Sequence, residues 1–262
     1  MSLSIQGKTV IVTGAAHGLG LAIARHFLDR GANVMAADID EAALEAEWGD
    51  EARVEGPLRL RGGDLCKKLA ITNLLSATMD AFERVDILVN AARVVQLSPD
   101  PLCIEADGVE AMLQQNVLTT LRVSQLCAKR MIAQGGGGSI INLSSIAARQ
   151  SRPELMGWSI ASAAIEQMTR SLALALAPQG VRVNAVALGS VMSASLQAQL
   201  KDNPDHREVI IAGTPLGRIA AASEVVETVQ YLASDASSFM TGQILALDGG
   251  RSLADAVPAP TH

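Results

Sequence analysis

Eight residues near the amino terminus, TGAAHGLG (13–20), have the glycine spacing of a phosphate-binding turn. They follow an apolar run (9–14) and open a segment with helical periodicity. Gly14 allows a tight turn, Gly18 lets the backbone approach a pyrophosphate, and Gly20 lets a helix pack closely on a strand. The amino terminus of that helix offers free N–H groups to anionic phosphates. The stretch therefore predicts a dinucleotide site.

An acid follows the second apolar run at the distance expected for ribose recognition. Asp38 ends NVMAAD, about 20 residues beyond the glycines, where a carboxylate can bind the adenosine ribose hydroxyls. The same carboxylate would repel a 2′-phosphate, and the neighbouring His17 and Ile39 supply no arginine to offset it. We therefore expect NAD rather than NADP. The alternatives are a helix cap before Glu41 for Asp38, and a solvated side chain rather than a phosphate contact for His17.

Short apolar runs alternate with segments of helical periodicity along the chain. Nearly continuous apolar runs predict parallel strands, covered on both faces, at 9–14, 33–38, 86–92, 139–145, 181–188 and 243–250. Helical spacing predicts helices at 18–30, 67–83, 108–134, 155–178 and 223–234. This order predicts an α/β fold with a doubly wound parallel sheet, in a single domain over 1–262 with its core at about 8–250. Segment 189–215 interrupts the alternation, as either a helical flap over a cleft or a plain surface connection.

Composition and charge exclude several classes of function. Hydrophobic residues make up 49% of the 262 and charged residues 18%, enough for a large buried core. A net charge of −6 argues against binding to nucleic acid or to an acidic membrane surface. No run reaches the roughly 20 apolar residues of a membrane span, and no apolar leader follows the start, so we expect a cytoplasmic protein. Neither a disulfide framework nor a metal site fits the cysteines, Cys66, Cys103 and Cys127.

Further motifs accompany the glycine turn: Asp64 in GGDLC, NAA at 90–92, Asn116 in QQNVLTT, SIINLSS, RSLALALAPQGVRVNAVALG and SDASSFMTGQILALDGG. With TGAAHGLG, they make the chain from about Lys8 to Gly250 resemble the short-chain dehydrogenase/reductase family. The resemblance implies a Rossmann fold with seven strands, NAD in the cleft above the strand ends, and a homodimer or homotetramer. Helices 108–134 and 155–178 are expected at its interface, because they are long and low in charge at Leu172, Ala173 and Leu176.

The resemblance also implies which residues contact the cofactor. By position, the glycine turn lies at the phosphates and residues 64–65 flank the adenine. Asn90 lies near the ribose, and the Val191 backbone meets the nicotinamide carboxamide. The whole implied set is Gly14, His17, Gly18, Leu19, Gly20, Asp38, Asp64, Leu65, Asn90, Gly189 and Val191.

The catalytic positions of the family are only partly filled. In this family a tyrosine moves the proton that accompanies hydride transfer, and a lysine four residues later lowers the tyrosine pKa and holds the ribose. Ser145 fits the family's polarising serine and Asn116 the asparagine that anchors a water relay, with a turn contact and a helix hydrogen bond as their alternative roles. Trp158 stands at the tyrosine position and Ser162 at the lysine position, and the single tyrosine, Tyr231, lies far downstream.

These two changes remove the usual proton transfer. A phenol has a pKa of about 10 that a nearby cation can lower. An indole N–H donates a hydrogen bond without releasing its proton, and Ser162 carries no positive charge. Loss of positioned acid–base help lowers rates by roughly 10²–10⁴. Four residues apart on one helix, the two side chains should point into the same pocket, where Trp158 either packs or stacks on a ligand.

Charged residues also stand at unusual positions. Arg93 replaces the family's glycine after its Asn-Asn-Ala run, and Arg149 and Arg152 lie in the loop that faces the substrate pocket. Solvated surface charge is one interpretation, and a cationic mouth for a carboxylate or phosphate is the other. Glu166, one turn beyond Ser162, is expected to be exposed or at an interface rather than to act as a substitute acid.

Three functional hypotheses follow. The first, which we favour, is a family member that binds NAD(H), has little or no ordinary alcohol or ketone oxidoreductase activity, and serves as a regulatory or structural partner. The second is an active NAD-dependent oxidoreductase that uses Ser145 and a water relay held by Asn116. The third is a non-redox binder of an anionic small ligand that uses Trp158 and the arginines.

Overall fold

Seven parallel strands form one sheet in the computed structural model, which describes residues 2–53, 55–97, 100, 102, 108–150 and 152–254. The strands are β1 (Thr9–Thr13), β2 (Asn33–Asp38), β3 (Leu58–Gly62), β4 (Ile87–Asn90), β5 (Gly138–Ser145), β6 (Val181–Leu188) and β7 (Ile244–Leu247). Their order in the sheet is β3-β2-β1-β4-β5-β6-β7. The strand order reverses between β1 and β4, and ligands of such sheets bind at the carboxyl ends of the strands beside this switch point. The predicted doubly wound parallel sheet is confirmed.

The six strands predicted from apolar runs all form, and β3 is the strand that the pattern missed. Its sequence, LRLRG, alternates apolar residues with Arg59 and Arg61, because β3 is an edge strand with one neighbour. The Arg59 guanidinium covers the Phe82 ring, with 5.7 Å from the guanidinium carbon to the ring centroid. An arginine can therefore lie at this edge with its stem against apolar surface.

Nine α-helices pack around the sheet in the described part of the chain. They are α1 (Gly18–Asp29), α2 (Glu41–Trp48), α3 (Lys68–Phe82), α4 (Gly108–Met112), α5 (Thr119–Gln134), α6 (Met156–Leu176), α7 (Ala194–Asp202), α8 (Asp205–Ala212) and α9 (Ala222–Ala233). The short α2 was not predicted. A π-helical turn, Leu113–Leu118, joins α4 to α5, and the interrupting segment 189–215 folds into α7 and α8.

Alternate residues of the interior strands enter two separate cores. Val10 and Val12 of β1 pack in one core with α1, α2 and α9, whereas Ile11 packs in the other with α3, α5 and α6. This alternation follows from the two-residue period of a strand. Both faces of the central strands are therefore covered, which explains why their sequences are apolar throughout.

The residues named for the predicted oligomer face pack at least partly against the core. Ala173 is buried, and Leu172 and Leu176 are half-buried beneath α6. The exposed large apolar residues of α6 are Ile160 and Leu174, the latter 80% exposed. Homo-oligomer formation itself stays a prediction. None of the described helices has the length and apolar character needed to cross a membrane.

Candidate functional site

The glycine turn lies where β1 ends and α1 begins, beside the strand-order switch. Gly14 has a φ of +71°, and a Cβ atom there would lie 2.7 Å from the Cα of Ala92. A Cβ on Gly20 would overlap the carbonyl oxygen of Gly14. At the amino end of α1, His17 provides no side-chain cap. The first N–H groups of this helix therefore have neither an intrahelical partner nor a side-chain cap, which suits an anion.

Asp38 ties the end of β2 to this turn. One carboxylate oxygen accepts a hydrogen bond of 2.9 Å from the Ala16 N–H, and the other accepts one of 3.1 Å from the Asp40 N–H. The alternative role of Asp38 as a helix cap is wrong, because Asp40 caps α2 by accepting from the Ala43 N–H at 2.9 Å. Beneath the turn, the Trp48 indole N–H donates to the Ala15 carbonyl at 3.2 Å.

An open cavity of about 750 Å³ runs along these strand ends. Its described walls come from the glycine turn, the ends of β2 and β3, the segment after β4, the helical segment around the π-helical turn, and the residue before α7. It brings together nine of the residues named from sequence: Gly14, His17, Gly18, Leu19, Gly20, Asp38, Asp64, Leu65 and Asn116. The closely packed glycine turn, the uncapped helix end and the carboxylate of Asp38 fit the adenosine and phosphate portion of a dinucleotide.

Other residues named from sequence do not line the described walls of this cavity. These are Asn90, Ser145, Trp158, Ser162, Gly189 and Val191. The Asn90 side chain turns away from the cleft, because its amide nitrogen donates to Ser124 Oγ at 3.0 Å and to Asn142 Oδ1 at 2.8 Å. Gly189 packs so closely on Asp248 that a Cβ would lie 2.8 Å from its Cα. Val191 is 7% exposed.

Asn116 is buried in the π-helical turn and faces the segment that follows β4. Its side-chain oxygen accepts from the Val94 N–H, and its amide nitrogen donates to the Val94 carbonyl, both at 2.8 Å. A π-helical turn inside an α-helix is rare and is frequently found at functional sites. Here the turn carries Asn116, which fixes the backbone of the cleft wall. Both ends of its amide are thereby engaged.

Ser145 ends β5, and its hydroxyl oxygen accepts a hydrogen bond of 3.1 Å from the Ala147 N–H. That contact caps the short 3₁₀ turn Ile146–Ala148, which is the turn role foreseen as its alternative. The neighbouring Ser144 is fully buried and donates to the Ser162 carbonyl at 3.2 Å. A hydrogen bond from the Ser144 side chain to the Ser162 backbone thus joins β5 to α6.

Trp158 and Ser162 lie on the buried face of α6. Trp158 is 6% exposed and packs in a small apolar cluster with Met112, Ala147 and Ala161. Ser162 is completely buried, and its hydroxyl has no hydrogen-bond partner among the described residues. Trp158 thus contributes to packing, its alternative role of stacking on a ligand stays a prediction, and neither side chain supplies an ionisable group. Tyr231 lies in α9, where its hydroxyl contacts the sulfur of Met240 at 3.1 Å.

Arg93 follows β4 and lines the cavity. Its guanidinium carbon lies 5.8 Å from the centroid of the Trp158 ring, within the range of a cation–π contact. Protein surrounds the guanidinium, which lowers the pKa of Arg93, although the open cavity leaves the side chain accessible to solvent. An arginine remains charged at neutral pH despite such a shift. Arg93 makes no hydrogen bond or ion pair with any described residue.

The other two arginines do not form a cationic mouth around this cavity. Arg149 and Arg152 are exposed and absent from its described walls. Arg149 instead pairs with Glu166 at 3.3 Å, and Arg170 pairs with the same carboxylate oxygen at 3.5 Å. Glu166 is 4% exposed, so the expectation of an exposed carboxylate is wrong, whereas its alternative position at an interface stays a prediction. Two arginines hold this carboxylate in place at the edge of α6.

Sequence reasoning missed several residues that form the cavity walls. Gln114 and Gln115 line it beside Asn116, and Ser193 lines it where α7 begins. Cys66 also lines it, and its sulfur accepts a hydrogen bond of 3.3 Å from the Thr119 hydroxyl. Gln114 and Gln115 directly precede Asn116 in the QQNVLTT motif, so this motif was the sequence signal for both residues. Cys103 lies outside the described residues. The described part of the chain has no cluster of three or more metal-ligating side chains.

A parallel sheet with a glycine turn and an acid at its strand-order switch defines a Rossmann protein of the dinucleotide-binding class. A family model described as Enoyl-(Acyl carrier protein) reductase matches residues 14–252. The chain belongs to the short-chain dehydrogenase/reductase family. The family predicted from the sequence motifs is therefore confirmed.

Relatives and solved structures match along nearly the whole chain. A short chain dehydrogenase/reductase of Aspergillus oryzae is 34% identical, covering 95% of this chain and 97% of the relative. The D-erythrulose reductase of Gallus gallus is 33% identical, again covering 95% of this chain and 97% of the relative. The structure of a gluconate 5-dehydrogenase from Burkholderia cenocepacia in complex with NADP and tartrate is 26% identical. It superposes with a TM-score of 0.87, covering 97% of this chain and 98% of that one.

Proposed function

We propose that this protein binds NAD(H) in the cleft and has little or no ordinary alcohol or ketone oxidoreductase activity. The observation that carries the proposal is the state of α6, where a packed indole and a fully buried, unpaired hydroxyl occupy the family's tyrosine and lysine positions. The motif resemblance assigns Trp158 and Ser162 to those positions. A member of this family with such a helix is expected to serve as a regulatory or structural partner.

The glycine turn and Asp38 support the binding part of the proposal. Gly14, Gly18 and Gly20 would hold the phosphates at the amino end of α1, and Asp38 would accept from the adenosine ribose. The preference for NAD over NADP rests on this carboxylate, which would repel a 2′-phosphate. The related gluconate 5-dehydrogenase was solved with NADP, so the preference is a property of this chain to be measured.

The loss of activity is argued from proton transfer. A bound nicotinamide supplies or accepts a hydride, and a separate group must move the accompanying proton. An indole N–H does not release its proton near neutral pH, and a serine cannot lower the pKa of a neighbouring acid by positive charge. The cavity walls contain neither a tyrosine nor a lysine among the described residues. We expect the rate to be lower by roughly 10²–10⁴ for want of this help.

The hypothesis of an active enzyme is less well supported. It requires the Asn116 amide to hold a water, yet both ends of that amide bond the Val94 backbone. It also requires Ser145 to act on a substrate, yet Ser145 lies outside the described cavity walls and caps its own turn.

The test combines cofactor binding with turnover. NADH fluorescence titration measures binding to the wild type, and an alcohol and ketone panel measures turnover by wild type and by a variant with Trp158→Tyr and Ser162→Lys. Expected results are NADH binding by the wild type and a gain in turnover of about 10²–10⁴ in the variant. Brisk turnover by the wild type would contradict the loss of activity, and absence of NADH binding would contradict the cofactor.

A matched variant controls for packing. Trp158→Phe with Ser162→Met has similar bulk but no phenol hydroxyl and no ammonium group. Thermal unfolding and NADH titration establish that both variants are folded. If the Phe–Met variant gains as much turnover as the Tyr–Lys variant, relief of packing rather than proton transfer limits the wild type, and the proposed cause is wrong.

A further inference from the structure

Arg93 places a positive charge inside the cleft that has no ion-pair partner among the described residues. Among the described residues that line the cavity, it is the only lysine or arginine. No described carboxylate lies within ion-pair distance of its guanidinium, and the side chain is exposed to the open cavity. A guanidinium that faces open space in a cleft can pair with a carboxylate or phosphate that enters it. The N–H groups of Arg93 are therefore available to an anionic ligand of this cleft.

The ring of Trp158 fixes the position of the Arg93 guanidinium. Arg93 lines the cavity while Trp158 does not, so the guanidinium covers the indole on the cleft side. Trp158 is itself held by packing against Met112 and Ala161. A guanidinium held near an immobile ring by a cation–π contact can still offer N–H groups to a carboxylate or phosphate.

The charges of the cleft are also segregated. Asp38 and Asp64 lie at the ends of β2 and β3, on the side of β1 where the adenosine is expected. Arg93 follows β4, on the opposite side of β1, where no described acid lines the wall. A ligand that fills this second side would meet one positive charge and otherwise neutral groups.

We propose that Arg93, in cation–π contact with Trp158, is an anion-binding subsite that recognises the carboxylate or phosphate of a small ligand held beside the dinucleotide. The proposal rests on the proposed function only for the identity of the neighbouring cofactor. The ligand class is an organic acid or a phosphate ester small enough for the free part of the cavity. A bidentate pair with the guanidinium supplies the selectivity against neutral analogues.

The experiment compares acids with their neutral isosteres. Benzoate with benzamide, and propionate with propionamide, are titrated into the protein with and without saturating NADH, and binding is followed by calorimetry and by tryptophan fluorescence. We expect each acid to bind about tenfold or more tightly than its amide, as hydrogen bonds to charged groups allow. Arg93→Met should abolish the preference, and Arg93→Lys should restore part of it.

Arg152→Met is the matched control, because Arg152 is exposed and outside the described cavity walls. It should leave the acid preference unchanged. The proposal is overturned if neither acid is preferred, or if the preference survives in Arg93→Met. It is also overturned if the preference vanishes at saturating NADH while Arg93→Met weakens NADH binding, because Arg93 then pairs only with the cofactor phosphates. Because the titrations without NADH are read separately, failure of cofactor binding is distinguished from failure of the anion subsite.

Discussion

The side chains of Asn90 and Asn142, on the neighbouring strands β4 and β5, are joined by a hydrogen bond of 2.8 Å in the core. Asn90 also donates to Ser124 of α5, and Asn142 donates to Thr169 of α6 at 2.9 Å. This chain of buried polar groups links two helices through two strands directly behind the cleft. It fixes how α6, which carries Trp158, sits on the sheet.

Substitution of Asn142, which does not line the described cavity walls, should destabilise the fold. Asn142→Ala removes one partner each from Asn90 and Thr169, and we expect the free energy of unfolding to fall by about 1–3 kcal/mol. Urea unfolding measures the change. Thr72→Ala is the control, because the exposed Thr72 hydroxyl donates to the Lys68 carbonyl within its own helix and should matter by less than about 0.5 kcal/mol. Equal effects of the two substitutions would show that the buried chain adds nothing.

Two glycines of the phosphate-binding turn should separate stability from cofactor binding. Both have positive φ, which costs a residue with a Cβ roughly 1–2 kcal/mol. A Cβ on Gly14 also meets the Ala92 backbone, which adds about 1–3 kcal/mol. A Cβ on Gly18 meets nothing within 4 Å and would instead occupy the side that the phosphates approach. We therefore expect urea unfolding to show the larger loss of stability for Gly14→Ala.

NADH titration should rank the same two variants differently. In Gly18→Ala, the loss of NADH affinity should be large although the loss of stability is modest. If Gly18→Ala binds NADH as well as the wild type, the phosphates do not approach this backbone, and the assignment of the turn is wrong.

The Asp38 carboxylate should set the cofactor preference. Asp38→Asn keeps an acceptor for the Ala16 N–H but removes the charge that would repel a 2′-phosphate. We expect the ratio of NADPH to NADH dissociation constants to fall about tenfold, which corresponds to about 1.4 kcal/mol. Fluorescence titration with both cofactors measures it. Asp40→Asn is matched to it, because asparagine also caps helices and Asp40 does not line the described cavity walls, so the ratio should stay unchanged.

Glu224 should contribute stability that is lost in acid. Hydrogen bonds from Arg218 and from the Ala221 N–H lower the pKa of this carboxyl to about 2. Because the folded-state pKa lies below the unfolded value of about 4.3, the ionised carboxylate stabilises the folded state at pH values above about 4.3. This contribution is lost as the pH falls toward 2. The difference in unfolding free energy between wild type and Glu224→Gln should therefore be constant above about pH 5 and shrink below pH 4. A difference that does not change between pH 6 and pH 3 would contradict the role of this carboxylate.

Much of the fold followed from local patterns in the sequence. Apolar runs predicted β2 and β6 to the residue, because central parallel strands are buried on both faces and have continuously apolar sequences. The edge strand β3 was not predicted, since a half-buried and an exposed arginine interrupt its apolar residues. The short α2 escaped as well, because it spans only eight residues and buries just Leu44 and Trp48.

The sequence by itself determined the family, the glycine turn with Asp38, and the absence of ionisable side chains at positions 158 and 162. These follow from residue type and short-range spacing, which can be read from the sequence without knowledge of the fold. Only the tertiary structure decided that Arg93 lies on Trp158, that Asn116 binds the Val94 backbone, and that Glu166 is buried. Each of these depends on how loops and helices distant in sequence pack across the sheet, and no local pattern specifies that packing.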